Sequence, residues 1–338
     1  MMIYIEAKSM DCAFHFAAEE FVMERLKPDE PVLMLWRTDM TAMIGANQIA
    51  ETEADLRYAK ARGIAVVRRS SGGGAIYTDP GVLLYTIILP FTDETDTKAV
   101  IADYLAGPAI EALRRMGVAA SLEGRNDILV EGKKISGIAQ YVRHGYLCSH
   151  GSLLFNADLA ELARVLTADD EKIVSKALRS VRSRVTNIAE HLPGGLPADI
   201  SASDTLTFMK NLRESWRDEF GLTEYEFTED DEREIRKIRE GKYASKEWTR
   251  GRTPKYSYRN SKRFPGGGVK VFVGVKGGAI EDIRITGDFL SLRPVADIEQ
   301  KLIGVPFDAK ALAGAISGDD VSLALGSITK DELLSLFP

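Results

Sequence analysis

Apolar residues recur along the chain at two spacings, one typical of helices and one typical of strands. In residues 12–26 apolar side chains lie three and four positions apart, with Asp11 as a candidate N-cap and Pro28 beyond the end, and this predicts an amphipathic helix. The same patterns predict a second helix over 98–116 and strands over 31–37, 64–69, 82–89, 127–130, 134–142 and 146–155. Because the last three strands follow one another closely, we predict an α/β (α+β) fold whose sheet is mixed and mostly antiparallel.

The composition changes between residues 224 and 262. Charges of alternating sign fill residues 229–242, which predicts a solvated helix with ion pairs along its surface. After this zone a strand hairpin is predicted across Lys276-Gly277-Gly278, with helices near 294–302, 308–315 and 329–336. We therefore predict a large domain over 1–245, a linker or hinge over 246–262 and a small α+β domain over 263–338.

Composition narrows the class of protein. Of the 338 residues 45% are apolar and 28% are charged, as in soluble globular chains, and no stretch reaches the roughly 18 apolar residues that a membrane span needs. The net charge of −6 disfavours a nucleic-acid partner. The two cysteines, Cys12 and Cys148, are too few for a disulfide framework or a four-thiolate zinc site. We expect a cytoplasmic monomer that binds neither membrane nor nucleic acid.

A glycine-rich segment directly follows the strand predicted at 64–69. Residues 68–77 read Arg-Arg-Ser-Ser-Gly-Gly-Gly-Ala-Ile-Tyr. Consecutive glycines let the backbone approach a ligand and offer successive N–H groups to an anion, and a neighbouring arginine adds donors that suit phosphate. The segment matches neither the Walker nor the Rossmann spacing. The pattern predicts a phosphate-bearing ligand, and a flexible surface loop is the alternative.

Two further positions carry candidate chemistry. Lys134 begins a predicted strand in which the small residues Ser136, Gly137 and Ala139 leave room beside it, so its ammonium suits a phosphate or carboxylate, with a solvated turn position as the alternative. In the next predicted strand His150 shares a face with Cys148, but no third metal ligand is evident there. A zinc site is therefore disfavoured, and we expect a packed structural histidine.

Three segments, RRSSGGGAIYTDPG, GRNDILVEGKKISGIA and HGSLLFNADL, resemble in order and spacing the lipoate-protein ligase A family. The resemblance continues through residues 180–194 and 287–304 and so covers essentially the whole chain. It implies a large α/β domain related to biotin protein ligases and a small C-terminal domain. It also implies two reactions: lipoate and ATP form lipoyl-adenylate, and the lipoyl group then passes to a lysine of an acceptor domain.

The resemblance assigns roles to individual residues. Lys134 is expected to contact both the nucleotide and the lipoyl carboxylate as an electrostatic clamp, and Asp127 is a candidate ligand of Mg²⁺. The expected ATP-binding residues are Arg69, Ser71, Gly72, Gly73, Gly74, Ala75, Ile76, Tyr77, Asn126, Asp127 and Lys134. The expected lipoate-binding residues are Lys134, Ser136, Gly137, Ala139 and His150.

The implied acceptors are the lipoyl domains of 2-oxoacid dehydrogenase E2 subunits and the H protein of glycine cleavage. Arg179, Arg182 and Arg184 are candidates for steering an acidic acceptor, with a solvated face as the alternative. After the glycines the chain departs from the family pattern, because Thr78 and Val82 replace a histidine and an asparagine.

Two other functions stay open. An acyltransferase of the same superfamily would take its acyl group from a thioester through Cys148, activated by His150. A lipoate-binding protein without adenylating activity is the non-catalytic alternative.

Overall fold

The computed structural model describes residues 1–166, 181–194, 202–250 and 256–337. Its strands are β1 (Met2–Glu6), β2 (Val32–Trp36), β3 (Thr41–Ile44), β4 (Ala65–Arg68), β5 (Ile76–Thr78), β6 (Val82–Pro90), β7 (Ala120–Glu123), β8 (Asp127–Val130), β9 (Lys133–Arg143), β10 (Tyr146–Leu154), β11 (Leu222–Glu224), β12 (Tyr258–Phe264), β13 (Gly267–Lys276) and β14 (Ala279–Gly287). Among these residues no helix is both long and apolar enough to cross a bilayer.

The helices are α1 (Cys12–Phe21), α2 (Ala50–Glu53), α3 (Leu56–Arg62), α4 (Thr97–Ala99), α5 (Gly107–Arg115), α6 (Leu159–Val165), α7 (Ala202–Phe220), α8 (Glu229–Ile238), α9 (Lys246–Arg250), α10 (Ala296–Leu302), α11 (Ala309–Ala315), α12 (Gly318–Leu325) and α13 (Lys330–Leu334). The π-helical turns Val22–Leu26, Val100–Ala106 and Arg239–Tyr243 continue α1, α4 and α8, and a 3-10 turn spans Ile188–His191.

The main sheet has eight strands in the order β11-β1-β2-β6-β10-β9-β8-β7. β1 pairs in parallel with β11 and β2, and the remaining pairs are antiparallel. One face of this sheet packs on α5 and α7, and the other face packs on α1. The predicted fold class, a mixed and mostly antiparallel sheet flanked by helices, is confirmed.

Local sequence determines where most of these elements begin. The carboxylate of Asp11 accepts a hydrogen bond from Ala13 N at 3.0 Å and caps α1 as predicted. The predicted ion-paired helix is α8, in which Arg236 lies 2.8 Å from Glu232. The apolar run at 64–69 is typical of a buried strand, and Ile64, Val67 and Arg68 are buried. The expectation is wrong at Ala65, which is exposed because β4 is an edge strand.

Two smaller sheets complete the fold. The sheet β4-β3-β5 lies beside the main one, and the glycine-rich segment joins β4 to β5. The sheet β12-β13-β14 packs with α10, α12 and α13 into a hydrophobic cluster formed by residues from Phe264 onward. The division at 246–262 stays a prediction, and residues 251–255 of that linker lie outside the described residues.

Candidate active site

A cavity of about 820 Å³ is lined by residues of the main sheet and of the β4-β3-β5 sheet. Part of its wall is apolar and belongs to one hydrophobic cluster, with Phe16, Trp36, Met43, Ile76 and Leu84. Other lining residues are polar or lack a side chain, namely Arg69, Gly73, Gly74, Asn126, Asp127, Lys134, Ser183 and Arg184. The cavity therefore offers apolar and charged surfaces to one ligand.

A tight turn and a bulge direct Lys134 into the cavity. Glu131 and Gly132 form the turn between β8 and β9, each with positive φ (51° and 73°), as in the type I′ hairpins that suit twisted strands. β9 then bulges, since Leu129 pairs with Lys134 and Ile128 pairs with Ser136. The extra residue at the bulge reverses which face the first part of the strand presents.

The bulge decides which small residues lie beside the lysine. A Cβ on Gly137 would stand 2.7 Å from Lys134 Nζ, so the lysine side chain lies across this glycine. Its ammonium is 2.8 Å from Asp127 Oδ1. The hydroxyl of Ser136, by contrast, lies 3.0 Å from Tyr85 Oη in the core. Of the predicted small neighbours, Gly137 thus adjoins the ammonium, whereas the Ser136 hydroxyl faces away from it.

Residues 184–186, distant in sequence, lie against the start of β9. Thr186 N donates to Lys134 O at 3.1 Å, and Val185 forms a β-bridge with the same residue. This places Arg184 at the cavity wall, while Arg182 is exposed elsewhere. Arg179, the third predicted steering residue, lies outside the described residues.

The glycine-rich segment is tightly packed. A Cβ on Gly45 would lie 2.1 Å from Gly73 O, and Gly73 has a φ of +91° that favours glycine. Gly72 and Gly73 are buried, whereas Gly74 is exposed. The alternative of a flexible surface loop is therefore wrong.

Both arginines before the glycines donate hydrogen bonds to backbone carbonyls. Arg69 donates to Gly72 O at 2.7 Å and to Gly74 O at 2.8 Å, and Arg68 donates to carbonyls of the 45–48 and 248–249 segments. Burial lowers the pKa of each guanidinium to about 10, so both stay charged at neutral pH. Arg69 lines the cavity, but its donors hold the loop.

A buried carboxylate that the sequence did not single out joins the site. Ser71 Oγ lies 2.6 Å from His150 Nε2, and His150 Nδ1 lies 3.1 Å from Glu19 Oε1. Glu19 is only 1% exposed, although it lies on α1. The available signal was its position with Glu20 inside an otherwise apolar run of the helix.

Glu19 also lies close to Cys148 and His150 of β10. Ligand atoms of Glu19, Cys148 and His150 lie within 4.8 Å of one another, so α1 supplies the third group that the strand lacked. Both ring nitrogens of the histidine already have hydrogen-bond partners. Cys148 is fully buried, and burial raises the pKa of its thiol well above the ordinary value.

The two departures from the family pattern are both buried. Thr78 Oγ1 lies 2.8 Å from Thr38 Oγ1. Val82 packs with Leu154 and Leu159 in a small hydrophobic cluster. Thr78 thus has a hydroxyl partner inside the protein, and Val82 has an apolar environment.

Among the described residues that line the cavity, Leu290 belongs to the C-terminal part of the chain. Next to it, Phe289 O accepts a hydrogen bond from Gly73 N at 2.9 Å, and Ser291 Oγ accepts one from Asn47 Nδ2 at 3.1 Å. The glycine-rich segment is thus in direct contact with residues 289–291.

Known proteins match this chain along most of its length. The family model of the lipoyl protein ligase A/B catalytic domain matches residues 11–210, and that of the bacterial lipoate protein ligase C-terminus matches residues 253–337. The chain belongs to the lipoate-protein ligase family. The predicted family and the predicted enzyme class are both confirmed by these matches and by the relatives below.

The lipoate-protein ligase LplJ of Bacillus subtilis is 35% identical over 99% of both chains. Among solved structures, a lipoate-protein ligase A bound with ATP is 27% identical, with a TM-score of 0.60 over 74% of this chain and 98% of its own. A bipartite lipoate protein ligase from Thermoplasma acidophilum, described with its E2 lipoyl domain, is 29% identical, with a TM-score of 0.63 over 76% of this chain and 98% of its own.

Proposed function

We propose that this lipoate-protein ligase attaches lipoate to a lysine of an acceptor lipoyl domain at the expense of ATP. In the first step a carboxylate oxygen of lipoate attacks the α-phosphorus of ATP, which gives lipoyl-adenylate and releases pyrophosphate. In the second step the neutral amine of the acceptor lysine attacks the lipoyl carbonyl carbon. An amide forms, AMP leaves, and the amine proton passes to solvent.

One observation carries this proposal: a lysine ammonium and an apolar wall face the same cavity. Phe16, Trp36, Met43 and Leu84 suit the alkyl tail of lipoate, since burial of each methylene contributes about 0.8 kcal/mol. The side chain of Lys134 is 41% exposed and its ammonium is paired with the carboxylate of Asp127, so it can turn towards a phosphate. The solved relative that binds ATP supports a nucleotide as the second substrate.

The polar groups suit stabilisation of the charge that develops on the phosphoryl oxygens. Preorganised cations and N–H donors are the usual means of that stabilisation, and here they are Lys134 and the backbone beside the exposed Gly74. Arg69, Ser71 and the remaining predicted ATP contacts stay predictions, as do Ser136, Gly137, Ala139 and His150 for lipoate.

A magnesium ion fits one position of this cavity. Asp127 is the only carboxylate among the described residues that line it, and Mg²⁺ is commonly held by one or two carboxylates together with substrate phosphates. When bound, the ion would neutralise phosphate charge. The Asp127 carboxylate would hold it, and Lys134 would then be released towards the nucleotide.

The acyltransferase alternative receives no support from Cys148. Its thiol is fully buried and is absent from the described cavity lining, and a raised pKa disfavours the thiolate that such a nucleophile needs. Cys148→Ser is therefore expected to keep the activity. For the acceptor, the relative described with its E2 lipoyl domain supports a lipoyl domain; the H protein and a cytoplasmic location stay predictions.

The test is lipoate-dependent exchange of labelled pyrophosphate into ATP, with Mg²⁺ and no acceptor. We expect exchange by the unmodified protein and a loss of about 10²–10³-fold in Lys134→Ala, as for removal of a single oxyanion donor. Lys133→Ala is the matched control, because this neighbouring lysine is not among the described cavity-lining residues. Absence of exchange in the unmodified, folded protein would refute adenylation, and full activity of Lys134→Ala would refute the clamp.

A further inference from the structure

A continuous chain of hydrogen bonds runs from helix α1 to the glycine-rich segment. It passes from Glu19 Oε1 to His150 Nδ1 at 3.1 Å, from His150 Nε2 to Ser71 Oγ at 2.6 Å, and from Ser71 Oγ to Arg69 Nε at 3.0 Å. All four residues are at most 7% exposed. Arg69 then donates to the carbonyls of Gly72 and Gly74.

The two ends of the chain fix the direction of its outer hydrogen bonds, because an ionised carboxylate only accepts and a guanidinium N–H only donates. His150 Nδ1 therefore carries the hydrogen that the Glu19 carboxylate accepts, and Ser71 Oγ accepts from Arg69 Nε. With the neutral ring protonated on Nδ1, Nε2 is an acceptor and the Ser71 hydroxyl donates to it. In this tautomer the chain is a defined brace.

The same carboxylate also holds the apolar wall of the cavity. Thr86 donates to Glu19 Oε1 at 2.7 Å and accepts from Trp36 Nε1 at 3.0 Å. Both Trp36 and His150 line the cavity, whereas Glu19 is absent from its described lining. Glu19 thus lies behind the cavity wall. It connects Trp36 and His150, which the lipoate tail would touch, with the glycine-rich segment, which the nucleotide would touch.

We propose that Glu19 is a positioning residue that fixes the glycine-rich segment for nucleotide binding through His150, Ser71 and Arg69. The inference rests on the proposed function, because it assigns the nucleotide to that segment. It follows that ATP binding depends on a carboxylate that contacts neither substrate, and that the effect travels through Ser71.

A hydrolase triad does not explain the Ser71, His150 and Glu19 arrangement. The Ser71 hydroxyl has 0% exposure and already accepts a hydrogen bond from Arg69, so its oxygen is neither accessible nor free to attack. A metal ion at Glu19, Cys148 and His150 would require the present hydrogen bonds to be broken.

The test compares Glu19→Met, which keeps the size but removes the acceptor, with Glu19→Gln, whose amide oxygen still accepts from His150. We expect the KM for ATP in lipoate-dependent exchange to rise about tenfold in Glu19→Met and less than about threefold in Glu19→Gln, as for loss and retention of one hydrogen bond to a charged group. The KM for lipoate should change less. Glu299→Gln, which alters a buried carboxylate of the C-terminal cluster, is the control and should leave both values unchanged.

A double-mutant cycle asks whether the effect passes through Ser71. Combining Glu19→Met with Ser71→Ala should raise the KM for ATP no further than Ser71→Ala does, since that change already breaks the chain. Additive effects, equal effects of Met and Gln, a change confined to the KM for lipoate, or stoichiometric metal in the purified protein would each overturn the proposal.

Two measurements keep the outcome separate from folding and from the proposed function. If Glu19→Met does not fold, Thr86→Val takes its place, because it removes a donor to Glu19 and leaves the carboxylate; a smaller rise in the KM for ATP is then expected, and no rise overturns the proposal. If the unmodified protein shows no exchange, calorimetric titration with ATP reads the same variants. Weaker ATP binding in Glu19→Met but not in Glu19→Gln would support the brace even then, and equal binding in the two would overturn it.

Discussion

At the scale of single residues, Arg68 shows how a charged side chain can determine a local structure. It donates five hydrogen bonds to carbonyls of Gly45, Ala46, Gln48, Trp248 and Thr249. These carbonyls belong to two segments far apart in sequence, one before α2 and the other in α9. A buried guanidinium with every donor arm engaged therefore holds α9 against the strand that precedes the glycine-rich segment.

We expect Arg68→Met to lower the free energy of unfolding by about 3 kcal/mol or more, because it leaves buried carbonyls without donors. Urea denaturation followed by circular dichroism measures the change. Arg57→Met, at an exposed position on α3, is the control and should differ from the unmodified protein by less than about 0.5 kcal/mol. A loss as small as this in Arg68→Met would contradict the role given to Arg68.

The residue types at the site could be predicted better than their partners. Gly73, Gly74, Arg69 and Lys134, which local sequence marked as candidates, line the cavity, whereas Gly72 is not among the described lining residues, and Asp127 lies beside the lysine. Glu19 was not predicted, because its partner His150 is 131 positions away and no local pattern marks that contact. Arg69 was expected to contact phosphate, but its donors bind the carbonyls of Gly72 and Gly74, three and five positions away, and the residue types alone did not indicate this.

At the scale of elements, the bulge at the start of β9 is the feature that places Lys134 across Gly137. In a regular strand Lys134 would share a face with Ser136 and point away from Gly137. The bulge between them, which the pairing of Leu129 and Ile128 reveals, brings Gly137 under the lysine instead. A strand with regular alternation would have directed the ammonium to the other face.

We expect Gly137→Ala to reduce lipoate-dependent exchange by about 10²-fold, as a displacement of about 1 Å at a reacting group can do, and to leave the fold intact. The reason is that the new Cβ would lie 2.7 Å from Lys134 Nζ and 2.8 Å from its Cε, the flexible end of the side chain. Gly314→Ala, in open space, is the matched control. Normal lipoate-dependent exchange by a folded Gly137→Ala protein would show that Lys134 does not need to lie across Gly137.

Several elements with a strong local pattern were predicted, and β12, whose pattern is weak, was not. The strands β2, β6, β8, β9 and β10 and the helix α1 were found, because each has an apolar face or run. β12 was missed, since five of its seven residues are exposed and several are charged. It becomes a strand only because β13 supplies its hydrogen-bond partners.

At the scale of the whole molecule, the C-terminal part and the glycine-rich segment are held together by backbone contacts. Gly73 N donates to Phe289 O at 2.9 Å, and Val142 N on β9 donates to Leu292 O at 2.6 Å. A Cβ on Gly72 would lie 2.7 Å from Phe289 O and 2.9 Å from Ser291 N. Close approach of the two backbones therefore depends on the missing side chain at Gly72.

We expect Gly72→Ala to separate these backbones and to increase amide hydrogen exchange in the peptide that covers residues 287–293 by about tenfold. Hydrogen-exchange mass spectrometry measures the change. Gly74→Ala is the control, because nothing lies within 4 Å of a Cβ at that neighbouring glycine. Amide hydrogen exchange in the same 287–293 peptide should be unchanged in this variant. Equal protection in both variants would mean that the contact tolerates a methyl group and does not depend on Gly72.

The sequence by itself determined the fold class, most of the helices and strands, and the residues that mark the family, because these depend on spacing along the chain and on local turn chemistry. The tertiary structure alone decided that Arg68 and Arg69 donate to backbone carbonyls, that Lys134 lies across Gly137, and that hydrogen bonds connect Glu19 to the glycine-rich segment. The physical reason is that a hydrogen bond or a close approach needs a partner within a few ångströms. The partners of Arg68 and Glu19 come from segments distant in sequence. Those of Arg69 and Lys134 are only three to five positions away, but the packed loop and the bulge that bring them together depend on the rest of the fold.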